Sequence, residues 1–398
     1  MHKCRMICRK QTWRFTVFIV GSSLCLAVGC GGTDQRVESS AQPDDTKGAA
    51  ETVQQIDPPA VVAGAGLVSA APATVPTSGT GERGGTEQSK RLLFVDLAAG
   101  SSIRLEVETA ARYITPVAGA VDRDRIGVLL RTCSDGVYSS FVQCGDETFG
   151  VMIGDRVADG GAAVLPLPVE TSTDTFRGLA MSDNRLTTLR VSTAKGMGDG
   201  TFDPTRPATA RIDVLVSSDG GPFRSVASQE ASGLEPCVTA DGAAWNIDAG
   251  TGTVSRFDPA QEVWAPVPGL TAKPLSTLSC GSDKVALVDS QARSVLVLGT
   301  ASPNTAVPLT APDTFWGAGA FADATRSVRF DPVTSRPYAT VPIDATAETQ
   351  LVDWNADGSV RATRVLPPGF QSWLPLADGE FWRTTGDREA EVVKVEAK

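Results

Sequence analysis

The chain of 398 residues has 36 basic and 46 acidic side chains, a net charge of −10, and a single histidine at position 2. The acidic balance disfavours nucleic acid as a partner, because binding to phosphates depends on Lys and Arg. With no histidine beyond His2, imidazole metal ligands and the Ser-His-Asp or Cys-His nucleophile pairs are excluded. Any catalysis would depend on carboxylates, Tyr, Lys or Arg.

Residues 1–29 have the features of an export signal. They hold five basic residues and no acidic one, followed by an apolar stretch from Phe15 to Val28. Because this stretch is shorter than the roughly 20 apolar residues of a membrane-spanning helix, it predicts a signal peptide. Its removal would leave 31 basic and 46 acidic residues, a net charge of −15. That charge also argues against docking on anionic lipid.

The signal ends in Ala27-Val28-Gly29-Cys30, which resembles the lipobox of bacterial lipoproteins, although that family usually has Leu where Ala27 stands. The resemblance implies that Cys30 becomes a diacylated N-terminus and that the protein contacts the membrane through its acyl chains. Cys25 is a poorer candidate, since Leu24 rather than a small residue stands just before it. A retained anchor and a plain secretory signal are the alternatives. We therefore expect a lipid anchor at the cell envelope, on the outer membrane or on the cell-surface or periplasmic side.

Residues 30–90 are rich in Gly, Ala, Ser, Thr, Pro and Gln and contain no Phe, Trp or Tyr. Such a composition buries too little apolar surface to offset chain entropy, so the segment predicts a flexible tether. A tether of this length has a root-mean-square reach of roughly 40 Å. The more apolar portion, Pro58–Ala71, is the part of it that could instead dock on the folded domain.

Residues 91–398 show short apolar runs separated by Asp-Gly, Gly-Thr-Gly and Asp-Pro turns. This texture predicts an all-β domain. Its length exceeds that of a usual sandwich and favours a β-propeller. At about 44 residues per blade we expect seven four-stranded blades, with six or eight as alternatives.

Two repeats support this interpretation. Ala240–Trp245 recurs as Ala377–Trp382, and Cys237 and Cys280 each precede a turn, a β-run and an aspartate, Asp248 and Asp289. Phe257-Asp258-Pro259 has an echo at positions 330–332. The last blade begins near Trp373 with three clear strands, so we expect the segment 92–97 to supply its fourth strand and close the ring.

Two consecutive blades can be predicted strand by strand. The eight expected strands are Leu234–Thr239, Ala244–Ile247, Val254–Phe257, Trp264–Pro268, Thr277–Gly281, Val285–Val288, Ser294–Leu298 and Thr305–Leu309.

Besides the acylated Cys30, four cysteines remain after processing, namely Cys133, Cys144, Cys237 and Cys280. In an exported protein they predict two disulfides, for which three connectivities are possible. The blade layout favours Cys237–Cys280 between equivalent strands of neighbouring blades. Cys133–Cys144 would then close a loop around Ser134–Gly136.

Two stretches resemble repeats of known propeller families. Trp245–Val254 is similar to the repeat of pyrroloquinoline-quinone-type propellers, in which an Asp and a Thr-Gly pair shape a hairpin; here Phe257 replaces the closing Trp. Lipoproteins with this repeat include a subunit of the outer-membrane barrel assembly machinery, which implies a scaffolding role. Ser217–Phe223 resembles the Asp-box of sialidase-like propellers, a structural hairpin, although it is one residue short and ends in Phe.

Several residues are candidates for ligand or metal binding. Asp353, Asn355 and Asp357 have the spacing of a calcium loop, but the twelfth position is Arg364 rather than Glu, and the strand-like flanks favour an ordinary hairpin turn. Trp316, Trp354 and Trp373 are aromatic contacts for a ligand if they lie at a propeller mouth, or core residues if they do not. The insertion Gly196–Pro207 is either a functional loop or a passive one.

Glycosidase chemistry would need two carboxylates about 5 to 9 Å apart, and sequence gives no such distance. We assign no catalytic residue, since every candidate acid is equally explained as a solvated surface group. These acids are Glu147, Glu170, Glu235, Glu262 and Glu380. The sequence favours an envelope lipoprotein whose propeller binds or scaffolds a protein or glycan, without a cofactor apart from the calcium alternative. A carboxylate-dependent carbohydrate-active enzyme is the second hypothesis.

Overall fold

The computed structural model describes most of the chain after residue 90 and two shorter parts before it. The described residues are 18–20, 23–25, 60–70, 91–111, 113–133, 137–138, 142–143, 147–193, 210–231, 236–248, 251–273, 276–316, 327–343, 348–366, 374–375, 380–384 and 390–394. The chain divides into two units, Met1–Gln54 and Gln55–Lys398. Within the first unit, strands β1 (Phe18–Val20) and β2 (Ser23–Cys25) form a hairpin.

The strands of the second unit fall into seven consecutive antiparallel groups, which we number sheets 1 to 7. Sheet 1 consists of β3 (Ala60–Ala63), β4 (Gly66–Ala70), β5 (Arg91–Asp96) and β6 (Ser101–Glu108). Sheet 2 consists of β7 (Tyr113–Asp122), β8 (Arg125–Cys133), β11 (Glu147–Asp155) and β12 (Gly160–Pro166), with a short hairpin of β9 (Val137–Tyr138) and β10 (Val142–Gln143) after β8.

The remaining sheets repeat the same meander. Sheet 3 consists of β13 (Asp174–Ser182), β14 (Arg185–Thr193), β15 (Ala210–Ser218) and β16 (Arg224–Ala231). Sheet 4 consists of β17 (Cys237–Val238), β18 (Ala244–Ile247), β19 (Thr253–Asp258) and β20 (Val263–Thr271). Sheet 5 consists of β21 (Thr277–Cys280), β22 (Lys284–Asp289), β23 (Ser294–Gly299) and β24 (Ser302–Pro308).

A helical turn, α1 (Asp313–Trp316), follows sheet 5. Sheet 6 consists of β25 (Arg329–Phe330), β26 (Pro337–Ile343), β27 (Glu348–Trp354) and β28 (Val360–Val365). The described strands of sheet 7 are β29 (Leu374–Pro375), β30 (Glu380–Thr384) and β31 (Ala390–Lys394).

Consecutive sheets from 2 to 6 pack face to face through separate apolar layers. Leu129 and Phe176 belong to the layer between sheets 2 and 3, and Val214 and Phe257 to the layer between sheets 3 and 4. Further layers join sheets 4 and 5 and sheets 5 and 6. Successive side chains of a strand point to opposite faces of its sheet, so the central strands bury side chains on both faces. The fold is therefore the predicted all-β propeller.

Sheets 1 and 2 depart from simple stacking. Parallel pairs β3–β7 and β6–β12 join their edges, so the eight strands form one closed barrel. Alternate residues of the strands fill its interior, among them Val62, Phe94, Leu105 and Val128. Because these two sheets share one barrel, the number of seven blades stays a prediction.

The predicted boundary between tether and domain at residue 90 is wrong. The hairpin β3–β4 belongs to sheet 1, and Val62, Leu67 and Val68 have no exposed surface. Gly64, with φ of +81°, supplies the left-handed residue of its tight turn. Strands β3 and β4 are short runs of four and five residues within a segment of small and polar residues, so the average composition of that segment did not reveal them. The alternative that Pro58–Ala71 docks on the domain is the one that agrees with these strands.

The segment 92–97 does not complete the last sheet. Its residues up to Asp96 form β5, which pairs with β4 on one side and with β6 on the other. Both backbone edges of this strand are therefore occupied within sheet 1. The prediction of ring closure through this segment is wrong, and its cause is the missed hairpin before it.

The internal repeat is confirmed by strand pairing. Cys237 lies opposite Trp245 in sheet 4, and Leu374 lies opposite Trp382 in sheet 7. The two tryptophans thus occupy equivalent positions on the second strand of their sheets. All the strands predicted for sheets 4 and 5 are present within a few residues of their expected bounds.

Candidate functional site

A disulfide joins Cys237 and Cys280, as predicted, with Cα atoms 5.6 Å apart. The two cysteines lie on β17 and β21, the first strands of sheets 4 and 5. Both sulfurs pack beside the buried layer that contains Trp245. The bond therefore ties neighbouring sheets together at equivalent strands. Cys133, at the end of β8, is also disulfide-bonded, while its predicted partner Cys144 lies outside the described residues.

Trp316 and Trp354 are core residues and not exposed ligand contacts. Trp354 is fully buried and its Nε1 donates a hydrogen bond to the carbonyl oxygen of Thr310 at 2.8 Å. Trp316 is 5% exposed, and Phe315 meets both indoles edge-on, with ring centroids 4.8 and 6.1 Å away. Alternation along β27 and the short helix α1 direct these rings into the layer between sheets 5 and 6. Trp373 lies outside the described residues.

The predicted calcium loop is an ordinary hairpin turn. Asp353 lies within β27, where it is 1% exposed, and its Oδ2 accepts hydrogen bonds from Arg364 Nη1 at 3.0 Å and Arg361 Nη1 at 3.5 Å. Asn355 Nδ2 donates to the Ser359 hydroxyl at 3.0 Å. Asp353 thus bonds to arginines of β28, whereas Asn355 bonds within the turn. The candidate ligands therefore do not converge.

Asp357, the third candidate ligand, closes the same turn. Its Oδ1 accepts hydrogen bonds from the backbone amide and the hydroxyl of Ser359 at 2.9 and 2.6 Å, and these bonds lower the pKa of this carboxyl. Among the residues that the structure describes, no cluster of three or more His, Cys, Asp or Glu could hold a metal ion. Asp353, Asn355 and Asp357 therefore make the hydrogen bonds of a hairpin turn, the interpretation that the sequence favoured over a calcium loop.

The hairpin that resembles the quinoprotein repeat has the chemistry expected of it. Asp248 Oδ1 accepts hydrogen bonds from the backbone amide and the hydroxyl of Thr251, both at 2.8 Å. Gly252 adopts φ of +69°, and its amide donates to the Asp248 carbonyl. Asp331 holds the turn between β25 and β26 in a similar way, accepting from the amides of Val333 and Thr334. Asp258 ends the third strand β19 and accepts from the amides of Ala260 and Gln261, whereas Asp331 follows the first strand of its sheet. The Phe-Asp-Pro echo is therefore one of turn chemistry and not of position in the sheet.

The hairpin that resembles an Asp-box differs from it in detail. Asp219 lies between β15 and β16 with φ of +52°, and its Oδ1 accepts a hydrogen bond from Asn184 Nδ2 at 3.1 Å. Ser217, and not the aspartate, binds the turn, since its hydroxyl donates to the carbonyl oxygen of Gly221 at 2.6 Å. The side chain of Asp219 therefore connects two turns of sheet 3.

The glutamates considered for glycosidase chemistry that the structure describes are each engaged by arginine. Glu147 pairs with Arg131 at 2.8 Å, and Glu170 with Arg190 at 2.8 Å. Glu262 accepts from two arginines, Arg185 and Arg224, both at 3.1 Å. Glu235 and Glu380 lie outside the residues whose side chains are described. The geometry thus gives these acids a role in joining turns and strands.

A buried ion cluster in sheet 3 is the feature that the sequence analysis missed. Arg190 is 1% exposed and donates from Nε and Nη2 to Asp213 Oδ2 at 3.1 and 2.7 Å. Its Nη1 donates to the carbonyl oxygen of Pro168 at 3.2 Å and pairs with Glu170. Burial opposes the charge of Arg190, but the hydrogen bonds to Asp213 and Glu170 raise the pKa of the guanidinium. This cluster ties the connection before β13 to two central strands.

Asp174 adds a third carboxylate at the same end of sheet 3. Burial alone would raise its pKa, but hydrogen bonds from the hydroxyls of Thr171 and Ser192 and from the amides of Glu170 and Thr171 hold the pKa below its ordinary value.

The sequence contains a signal for the buried ion cluster, namely charged residues within apolar runs. Arg190 lies between Leu189 and Val191, and Asp213 lies between Ile212 and Val214.

Turns between the first and second strands of the sheets meet on one side of the propeller, which we call the turn face: residues 64–65, 123–124, 183–184, 239–243, 281–283 and 331–336. Arg123 pairs with Asp183 at 3.1 Å, and the Ala240 amide donates to the Ser282 carbonyl at 2.9 Å. Lys284 Nζ donates to the Ser335 carbonyl at 3.2 Å.

The tip of the β3–β4 hairpin also reaches the turn face. The Gly64 amide donates to the carbonyl oxygen of Pro332 at 2.9 Å, and the Cβ position of Gly64 lies 3.5 Å from the Ser282 hydroxyl. The first sheet thereby contacts turns of sheets 5 and 6. These contacts fix the turns relative to one another while Arg123, Asp183 and Val333 stay exposed.

Within the described residues, no helix has the length and apolar character needed to cross a membrane. No family model matches the sequence, and no curated protein matches it.

Solved structures with an overall likeness include YCF48 bound to a peptide, which is 14% identical, with 69% of this chain and 75% of that chain covered at a TM-score of 0.37. TolB from Acinetobacter baumannii is 13% identical over 70% of this chain and 62% of that chain, at 0.36. Virginiamycin B lyase from Staphylococcus aureus with quinupristin is 12% identical over 83% and 92%, at 0.39. At such values these likenesses carry no argument about function.

Proposed function

We propose that this protein is an exported lipoprotein, anchored at the cell envelope through acyl groups on Cys30, whose propeller binds or scaffolds another protein. The observation that carries the binding role is the turn face, where turns from six of the sheets contact one another and present exposed charges of both signs. Rigid loops on a β scaffold are a common site of recognition. Charged groups of both signs favour a partner with complementary charges.

The anchoring part of the proposal depends on the N-terminal sequence alone. A basic start, a short apolar stretch and small residues before Cys30 support export and acylation. Each buried methylene of an acyl chain contributes about 0.8 kcal/mol to membrane binding, and a single chain binds only reversibly. Stable attachment therefore requires two acyl chains. Beyond the anchor, the segment between Cys30 and β3 would serve as the tether.

Metabolic labelling with an alkyne fatty acid tests the anchor. We expect labelling of the wild-type protein, loss of label in Cys30→Ala, and retention of label in the matched variant Cys25→Ala. Fractionation of the same cells should move Cys30→Ala from the membrane to the soluble fraction. Label that persists in Cys30→Ala would contradict the proposed site of acylation.

Site-specific photo-cross-linking in intact cells tests the binding surface. Cross-linking residues at Arg123 and Asp183 sample the turn face, whereas Val263 and Thr305, exposed on outer strands, serve as controls. The ion pair lost at the first two positions is exposed and contributes little to stability. We expect a discrete protein adduct from the turn face and none from the controls. Adducts from the outer strands alone would refute the proposed surface.

The carbohydrate-active enzyme remains the competing hypothesis, and turnover distinguishes it. The described glutamates Glu147, Glu170 and Glu262 are engaged by arginines, which favours a structural role for them. Incubation of the purified full chain with a panel of envelope glycans should leave them intact. Release of reducing ends that is lost on substitution of an acidic residue would overturn the binding assignment in favour of catalysis.

A further inference from the structure

The layer between sheets 3 and 4 contains a small group of polar side chains in apolar surroundings. Asn246 on β18 is 1% exposed, and Ser255 on β19 lies directly opposite it and is 4% exposed. Gln229 on β16 lies opposite Ile212, so its side chain also faces sheet 4. Ala244 and Phe257 surround the group within the same apolar layer. We call Gln229, Asn246 and Ser255 the amide cluster.

The two carboxamides of the cluster use their amino groups and leave their oxygens unpaired. Gln229 Nε2 donates to Ser255 Oγ at 3.2 Å, and Asn246 Nδ2 donates to the carbonyl oxygen of Glu230 at 3.3 Å. Gln229 Oε1 and Asn246 Oδ1 are both buried and have no hydrogen-bond partner in the described protein. An unpaired buried acceptor costs about 1–3 kcal/mol.

Exchanging oxygen and nitrogen in either carboxamide does not remove this cost. In Asn246 the exchange would place Oδ1 against the carbonyl oxygen of Glu230. In Gln229 the Ser255 hydroxyl could donate to the exchanged oxygen, but the amino group would then lie unpaired where Oε1 is now. The Nε1 of Trp264, whose ring packs on Phe257 with centroids 5.8 Å apart, is a buried donor without a partner in the same layer. The layer between sheets 3 and 4 thus lacks partners for several buried polar groups.

We infer that the amide cluster is a binding site for one ordered water molecule, which donates a hydrogen bond to Gln229 Oε1 and another to Asn246 Oδ1. Water fits because it supplies two donors for two acceptors, and buried waters usually make about three hydrogen bonds to otherwise unpaired groups. A bare cation fits less well, since the cluster holds no carboxylate to offset the cost of burying a charge. The bound water would link sheets 3 and 4 by a polar bridge within their apolar layer.

A crystal structure of the full chain at high resolution tests the site directly. We expect a density peak between the two carboxamide oxygens, at hydrogen-bond distances of about 2.7–3.2 Å from each. A peak with oxygen ligands only about 2.3–2.6 Å away would indicate a cation and would contradict the inference. Direct bonds from protein donors to both oxygens would also contradict it.

A thermodynamic cycle provides a second test with apolar variants. Gln229→Leu and Asn246→Leu should each lower the melting temperature, because each removes one anchor of the water and leaves the other acceptor less well paired. The double variant should lose less than the sum of the two, since no unpaired acceptor remains. Asn355→Leu, at an exposed amide, is the matched control and should change little. Strictly additive losses would overturn the shared site.

Discussion

Between sheets 5 and 6 the layer is aromatic, built from Phe315, Trp316 and Trp354, whereas between sheets 2 and 3 an apolar layer ends in the ion cluster of Arg190, Asp213 and Glu170. Both layers join neighbouring sheets of the same design. The aromatic layer gains stability from buried area. The ion cluster gains order from directional hydrogen bonds, at the cost of desolvating charges. The comparison shows that one fold accommodates two kinds of interface, which respond differently to substitution and to pH.

The largest loss is expected in the aromatic layer. Trp354→Ala should lower the free energy of unfolding by about 3–5 kcal/mol, because it empties a fully buried site and removes the hydrogen bond to Thr310. Urea denaturation followed by circular dichroism measures this difference. Trp264→Ala, at a partly exposed indole, is the control and should cost less. An equal loss of unfolding free energy in Trp354→Ala and Trp264→Ala would mean that the extent of burial does not determine the cost of the substitution.

Breaking the ion cluster should cost about 3 kcal/mol. Arg190→Met leaves the buried Asp213 with the Ser228 hydroxyl and one arginine, Arg211, whose side chain is 56% exposed. The double variant Arg190→Met with Asp213→Leu should recover part of the loss, because no buried charge remains uncompensated. Arg211→Met is the matched control on the same carboxylate and should cost under about 1 kcal/mol. A loss from Arg211→Met as large as that from Arg190→Met would contradict this account.

The disulfide provides a third kind of link, between sheets 4 and 5. Replacing Cys237 and Cys280 together by Ala should lower the free energy of unfolding by about 2–4 kcal/mol, since the bond closes a loop with a sequence separation of 43. Thermal unfolding of the oxidised wild type and of the double variant measures it. An unchanged melting temperature would show that the neighbouring apolar layer suffices without the covalent bond.

Tyr338 should make the face of sheet 6 sensitive to high pH. Burial raises the pKa of its phenol from 10.0 to about 12. The folded state therefore holds this proton more tightly than the unfolded state, so the contribution is present below pH 10 and is lost as pH rises toward 12. We expect a loss of roughly 2–3 kcal/mol over that window, absent from Tyr338→Phe. Parallel pH profiles of the two proteins would refute the buried phenol as the cause.

The parts of the fold that could be predicted from the sequence are those with strong local signals. Asp241-Gly242 and the Asp248–Gly252 turn mark strand ends by their own chemistry, and sheets 4 and 5 were therefore predicted strand by strand. The β3–β4 hairpin lacked such contrast, because its short apolar runs lie in a segment of small and polar residues. Its omission displaced both the domain boundary and the predicted closing strand.

The contacts between sheets were beyond prediction for a different reason. Whether Trp354 faces a neighbouring sheet or solvent depends on register, since a shift of one residue reverses the side of every side chain. Arg190 and Asp213 are both conspicuous in apolar runs, but a long insertion separates their strands in the sequence. Their pairing could not be inferred without knowing that β14 and β15 are neighbours.

Hydrogen–deuterium exchange with peptide resolution tests the central claim that successive sheets pack through separate interfaces. In the wild-type protein each interface should protect its own strands, since stability in such repeated structures comes from nearest neighbours. Arg190→Met should speed exchange in β13 and β14 and leave β26 and β27 unchanged, and Trp354→Ala should do the reverse. Equal acceleration across all sheets in both variants would contradict separate interfaces and would require a single cooperative core.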